Sequence, residues 1–359
     1  MSGAGPSETG RRRHRQWPAE WAPHRATWLA WPHNPTTWPG RLELVEDAYC
    51  EMVRAIALGE TVELLVRDPA HGEHVRRRLQ GAGVEMGDRV RLRGVPTDDA
   101  WIRDHGGIFV VETEVGGRAR RVLVDFAFDA WGGKYPPWDR DAAVGEQMSR
   151  ISRVERERVE LVLEAGAIEG DGEGTLLTTE SCLLHPNRRR PCQDRSRVGL
   201  ERRLNETLGV ERVVWLGEGI EGDDTDRHID DLTRFVAPGR VVTVMEADRA
   251  DPNAPALAEN RRRLEAAEDA RGRRLEIVDL PTPGRIEGPE GRLPASYANF
   301  YFANAALLLP VFGVDADREA IALLESLVTD RPVVPIPSRD LVLGLGAVHC
   351  LTQQEPALP

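Results

Sequence analysis

Residues 232–246, LTRFVAPGRVVTVME, hold two apolar runs that meet at Pro238-Gly239, and this pattern reads as a β-hairpin. After it, 253–270 has the spacing of an amphipathic helix, and LEIVDL (275–280) reads as a further strand. The same unit of hairpin, helix and strand recurs on both sides. Upstream, LVLEAGAIE (161–169) and GTLLTTESCLL (174–184) flank the turn DGEG, before a helix at 196–208 and the strand VVWLG (213–217). Downstream, NFYFANAALLLPVFG (299–313) leads to a helix at 315–329 and the strand VVPIP (333–337). Nearer the start, IFVVE (108–112) and RRVLVDFAF (120–128) precede a helical stretch at 139–156. Before them, VELLVR (62–67), a helix reaching about 80 and VRLRGVP (90–96) give strand, helix, strand. A small supersecondary unit repeated at a long period predicts an α/β fold with radial stacking, rather than one open sheet.

The chain around these units has 359 residues, 41% of them hydrophobic, enough for a full core. Residues 1–16 (MSGAGPSETGRRRHRQ) lack apolar periodicity and read as a disordered tail, leaving 17–359 as a single catalytic domain. The net charge of −12 argues against nucleic acid as a partner and suits a small cationic molecule. No apolar run reaches the roughly 18 residues of a membrane helix, and no secretory leader is legible, so the expected setting is cytoplasmic, without a membrane partner. Homo-oligomerisation is compatible with the sequence and not fixed by it. Five tryptophans (Trp17, Trp21, Trp28, Trp31 and Trp38) fall in a Pro-broken stretch, and packing is the expected role for most of them. His71 and His74 in HGEH read as exposed helix residues, and no zinc site is expected from them.

Four cysteines are present, with no C-x-x-C pair. Cys350 lies in GLGAVHCLTQQ, after a Gly-x-Gly turn that lets backbone approach a ligand. Cys50 and Cys182 fit the role of small buried hydrophobes, Cys182 on an apolar strand. Cys192, in RRRPCQDR, has an electropositive setting and is the internal competitor for a nucleophile. His228 sits among carboxylates in DDTDRHIDDLTRF, which favours its charged form, and a strand period of two would put His228 and Asp230 on one side. Trp101 and Asp104, in DDAWIRDHGG, could offer a ring and a carboxylate to a planar cation. Glu164 ends an apolar strand. Each of these residues has an ordinary alternative: a surface ion pair, a solvated loop, a strand end.

Spacing ties them together. Asp104, Glu164, His228 and Cys350 are separated by 60, 64 and 122 residues, close to one, one and two repeats. Each stands at the start of a hairpin, and equivalent positions of a radial array converge on its axis. The unit with no evident reactive residue begins at Ser296-Tyr297-Ala298-Asn299. A thiol, an imidazole and carboxylates at one point suit a guanidinium, which is cationic, planar and electrophilic at carbon.

The chain resembles the agmatine deiminases of the guanidine-modifying superfamily, which includes the bacterial peptidyl-arginine deiminases. The resemblance rests on PAEWAPHRATWLAWP (18–32), DDAWIRDHG (98–106), FDAWGGKYPPWDRD (128–141), GDGEGTLLTTESCLLHPNR (170–188), DDTDRHIDDLTRFV (223–236), SYANFYFANAALLLPVFG (296–313) and HCLTQQEP (349–356). It implies a five-bladed α/β propeller and hydrolysis of agmatine to N-carbamoylputrescine and ammonia. By the same resemblance Cys350 is the nucleophile, passing through an amidino-cysteine, and His228 moves the protons. Asp104 and Asp230 grip the guanidinium, with Trp101 beside it, and Glu164 holds His228 or shares the cation. No metal or organic cofactor is implied, and an activated Cys350 is expected to alkylate quickly near neutral pH. The chain departs from the family pattern at Ala165, Ala167, Leu345 and Ala347, and at Arg227. The alternatives are a deiminase of another alkylguanidine or of peptidyl arginine, and a catalytically weak guanidinium-binding protein.

Overall fold

The computed structural model describes residues 14–114, 116–188 and 194–359. The chain forms a mixed α/β fold of several small sheets, and five of these repeat one pattern. In the unit first read from sequence, Thr233–Ala237 pairs antiparallel with Arg240–Met245, the helix Ala254–Ala266 crosses over, and Glu276–Pro281 returns parallel to Arg240–Met245. The same order holds for Ile168–Gly170, Thr175–Thr179, helix Arg197–Leu208 and Arg212–Leu216. It holds for Tyr301–Phe302, Leu307–Val311, helix Ala316–Leu327 and Val333–Pro337. It holds again for Ile108–Thr113, Ala119–Ala127, helix Val144–Ser152 and Glu155–Val162. In the fifth sheet Gln353–Pro356 pairs antiparallel with His24–Ala30, and helix Leu42–Ala57 leads to Thr61–Val66 parallel to it. A second crossover, helix Pro69–Gly81, adds Val90–Gly94 to that sheet.

Inner strands such as Ile108–Thr113, Thr175–Thr179 and Leu307–Val311 are buried along almost their whole length, while the returning parallel strands Glu155–Val162 and Glu276–Pro281 are partly exposed. Trp28, Trp31 and Trp38 are fully buried, and each indole N–H has an acceptor: Glu355, Glu46 and the Leu341 carbonyl. Packing is thus their role, as the Pro-broken spacing suggested. No helix is long and apolar enough to cross a membrane among the described residues.

Four local expectations change. His14–Gln16, placed in the tail by composition, form an edge strand against Val111–Thr113, held by Arg15 on Glu112. A tertiary partner fixes that strand, so its own residues carry no sign of it. The stretch 139–156 is helical only over 141–152, after which Arg153 turns left-handed at φ 56°. His71 is buried, not exposed: its Nδ1 accepts the Arg67 N–H at 3.1 Å, and burial pushes its pKa down to about 4. His228 and Asp230 do not lie on a strand. Ile229–Asp231 is a single 3-10 turn, and the strand begins at Thr233.

Candidate active site

The five sheets place one segment each just before the first strand of their hairpins. These segments carry Asp104 before Ile108, Glu164 before Ile168, His228 and Asp230 before Thr233, Asn299 before Tyr301 and Cys350 before Gln353. All six side chains are buried. Equivalent positions of the repeat therefore do meet.

His228 is the centre of the arrangement. Its Nδ1 lies 3.8 Å from Asp104 Oδ1 and its Nε2 lies 3.9 Å from Glu164 Oε2. Neither ring nitrogen has an oxygen or nitrogen hydrogen-bond partner, and neither does Asp230 Oδ1. Buried polar atoms left open in this way mark where a ligand's donors and acceptors belong. Burial alone would lower the His228 pKa; Asp104, the Cys182 thiol and Asp230 outweigh it and hold the pKa well above the usual value.

Each carboxylate is steered by groups of its own. Asp104 Oδ1 accepts the Gly166 N–H at 3.1 Å, and Oδ2 accepts the Trp131 indole N–H at 3.0 Å. Desolvation still raises the Asp104 pKa to about 6. Ala130 and Trp131 aim that indole from left-handed backbone, φ 53° and 56°, a strain of about 1 kcal/mol or more for each non-glycine residue. Glu164 is gripped by Arg188 Nε, at 3.1 and 2.9 Å from its two oxygens. Burial opposes its charge, but Arg188 and His228 win and its pKa is lowered. Asp230 Oδ2 meets His349 Nδ1 at 2.7 Å, and His349 Nε2 reaches Glu20 Oε2 at 2.9 Å. Glu20 also accepts from Arg103 and Arg234, both fully buried, so a closed ionic network lies behind the site.

Cys350 Sγ lies 3.6 Å from Asp230 Oδ2 and 3.1 Å from Asn299 Nδ2. Burial pushes its pKa well up, and Asp230, Asp231 and Asp104 push it further. Trp101 covers the loop before it: a methyl group on Gly346 would stand 2.6 Å from the Trp101 ring and 3.1 Å from Cys350 Cβ. The same loop holds Leu345, one of the departures noted above, in left-handed backbone at φ 70°.

Sequence reasoning named Cys350, His228, Glu164, Asp230, Asp104 and Trp101, and all six fall here. It missed Asn299, Trp131, Arg188, His349, Glu20 and Gly166. It also misplaced Cys182. That residue lies on the helical turn Glu180–Leu183, not a strand, and its thiol joins Glu164 and His228 in a group whose ligand atoms are within 4.8 Å of one another. Arg188 already supplies a cation to Glu164 there. Cys192, the proposed competitor of Cys350, lies outside the described residues.

Comparisons with known proteins point to one family. The agmatine deiminase of Ectopseudomonas mendocina (strain ymp) is 40% identical over 95% of each chain. That of Pseudomonas aeruginosa (strain LESB58) is 36% identical over 98% of each. Among solved structures, agmatine deiminase of Enterococcus faecalis matches with a TM-score of 0.86 at 32% identity over 96% of each chain. A C. jejuni agmatine deiminase with cysteine replaced by serine, with substrate bound, matches with a TM-score of 0.85 at 27% identity over 98% of each. The family model for Porphyromonas-type peptidyl-arginine deiminases spans residues 16–356, which take in every side chain just described, and the chain belongs to that family.

Proposed function

We propose that this protein is an agmatine deiminase, hydrolysing agmatine to N-carbamoylputrescine and ammonia through an amidino-cysteine on Cys350. The observation that carries the reading is the meeting of a thiol, a charged imidazole and three carboxylates around atoms left without partners. We also read the five like sheets as blades of one pseudo-fivefold propeller, with 17–359 as a single catalytic domain.

Asp104 and Asp230 hold the guanidinium, and Trp101 walls the space beside Cys350. In the resting site the thiol donates toward Asp230 Oδ2. A bound guanidinium offsets the carboxylates that oppose thiolate formation, so the substrate itself lowers the cost of ionising Cys350. As substrate binds, the thiol gives up its proton to solvent, and the thiolate adds to the guanidinium carbon; the proton is regained when Cys350 is later displaced and the product's new O–H ionises. The C–N bond then breaks, and ammonia leaves with a proton from His228. Neutral His228 next takes a proton from water, whose oxygen attacks the same carbon and displaces Cys350. Glu164, kept ionised by Arg188, stabilises the imidazolium at each protonated stage. Buried catalytic groups favour a small guanidine over a peptide: Cys350 is only 8% exposed and Glu164, His228 and Asp230 at most 1%.

Ammonia release from agmatine, free arginine, a blocked arginyl peptide and shorter or longer aminoalkylguanidines tests the reading. Preference for agmatine supports it. Release confined to another compound would move attention to Ala167 and Ala347, and silence across the panel would leave a binding protein.

Two further results are expected. With its pKa raised, Cys350 should react slowly with neutral iodoacetamide at pH 7 and faster as pH climbs, which reverses the fast alkylation expected from sequence. A cationic amidine reagent should react much faster at pH 7. Equal rates for the two would contradict the electrostatic account. Trp131→Phe removes a hydrogen bond that favours the Asp104 carboxylate, so the Asp104 pKa rises from about 6. A bond to a charged group is worth about 1.5 kcal/mol or more, roughly one pKa unit. The acid limb of kcat/KM should move to higher pH by that amount; an unmoved limb would remove Trp131 from this role.

A further inference from the structure

The repeat of Tyr301–Phe302 and Leu307–Val311 is the one in which the sequence shows no reactive residue, and Asn299 occupies its equivalent position. The Asn299 amide is fully buried, and its orientation is fixed by its neighbours. Two backbone N–H groups, of His349 at 2.9 Å and Cys350 at 3.4 Å, point at one end of it. That end must be the oxygen, because an NH2 group there would oppose two donors. The NH2 end then faces Asp231 Oδ1 at 2.9 Å and Cys350 Sγ at 3.1 Å. One N–H is anchored on the carboxyl, and the other is aimed at sulfur.

The electrostatics leave such a donor a clear task. Asp230, Asp231 and Asp104 all oppose a negative sulfur. The Ala347 backbone N–H favours it, and the Asn299 Nδ2–H, 3.1 Å from the sulfur, is placed to do the same. A neutral amide donor stabilises the thiolate without adding a second cation to compete with the guanidinium for the carboxylates.

We propose that Asn299 is a further catalytic residue, whose Nδ2–H stabilises the Cys350 thiolate as it attacks and again as it departs. The repeat that begins at Tyr301 then contributes a neutral donor where the other four contribute acid, imidazole or thiol. The proposal rests on Cys350 being the nucleophile of the reading above.

The test uses the full chain and two measurements. The first is the pH dependence of iodoacetamide alkylation at Cys350, followed on its own peptide by mass spectrometry without substrate. The second is kcat and KM for agmatine. In Asn299→Ala the alkylation midpoint should rise by about one unit, and kcat should fall about 100-fold with KM within a few-fold. Asn299→Asp keeps the oxygen that caps the His349 and Cys350 N–H groups but loses the neutral donor, and should shift the same way. It guards against a fall caused by loss of the loop's seat. An unchanged alkylation midpoint in both variants would overturn the proposal, even with activity lost, because Asn299 would then only shape the loop. A wild-type protein silent on agmatine but with the midpoint shift intact would instead sink the substrate reading and leave the thiolate contact standing.

Discussion

Cys350→Ala is expected to lower agmatine turnover by at least about 10⁴-fold, the scale seen when a covalent nucleophile is removed from a hydrolase. Water would have to attack an unactivated guanidinium carbon, with the carboxylates favouring the cation in its ground state. Binding should survive, because Asp104, Asp230 and Trp101 take their positions from Gly166, Trp131, His349 and Trp38 and not from the thiol. Agmatine should therefore still bind the variant, with an affinity within a few-fold of wild type. Stability should change by about 1 kcal/mol or less, since one sulfur atom is removed at a site that must admit substrate. Intact-mass analysis during turnover should show an amidino adduct on wild type and none on the variant. Cys192→Ala should leave activity nearly unchanged. Full activity in Cys350→Ala would end the mechanism.

The repeat was legible because two periodicities alternate along the chain, and because hairpin turns such as Pro238-Gly239 and DGEG announce themselves. The converging residues were legible through their spacing and through their reactivity: a thiol, an imidazole and acids stand out at hairpin starts. What stayed hidden was whatever looks ordinary in one dimension. Asn299 is a neutral amide in an aromatic run. Glu20, Arg103 and Arg234 carry no sign in one dimension that they are buried against one another, and only the fold pairs residues up to 214 positions apart. Arg188 closes a polar run that reads as solvated, but both its own side chain and that of Glu164 are inaccessible. Cys182 looked like a filler of an apolar strand because the apolar run continues past Thr179, whose side chain caps a helical turn instead. The turn swings the thiol toward His228.

Gly166 carries the second large prediction. Its N–H is bound by Asp104, and a methyl group built on it would stand 2.7 Å from Asp104 Oδ1, 2.7 Å from His228 Nδ1 and 3.1 Å from Asp230 Oδ2. Three side chains that we propose to be catalytic thus crowd one absent side chain. None can step aside cheaply: Asp104 is held by Trp131 and Asp230 by His349, and the His228 ring is buried between Asp104 and Glu164. The Gly166 backbone is not in the left-handed region, so alanine is excluded by space alone and not by conformation. A misplacement of the reacting groups by about 1 Å costs on the order of 100-fold, and here three groups are displaced together. Gly166→Ala should lower kcat/KM for agmatine by about 1,000-fold or more, with KM raised as well as kcat lowered, since Asp104 and Asp230 are both proposed to hold substrate. Gly81→Ala, where an added methyl meets nothing within 4 Å, is the matched control and should leave kinetics unchanged. The alkylation profile of Cys350 adds a readout that mere unfolding would not give. It should keep a single well-defined midpoint, shifted as the Asp230 carboxylate moves relative to sulfur. Wild-type kinetics in Gly166→Ala would mean that the three side chains do not share the space assigned to the guanidinium, and the placement of substrate among Asp104, His228 and Asp230 would have to be abandoned.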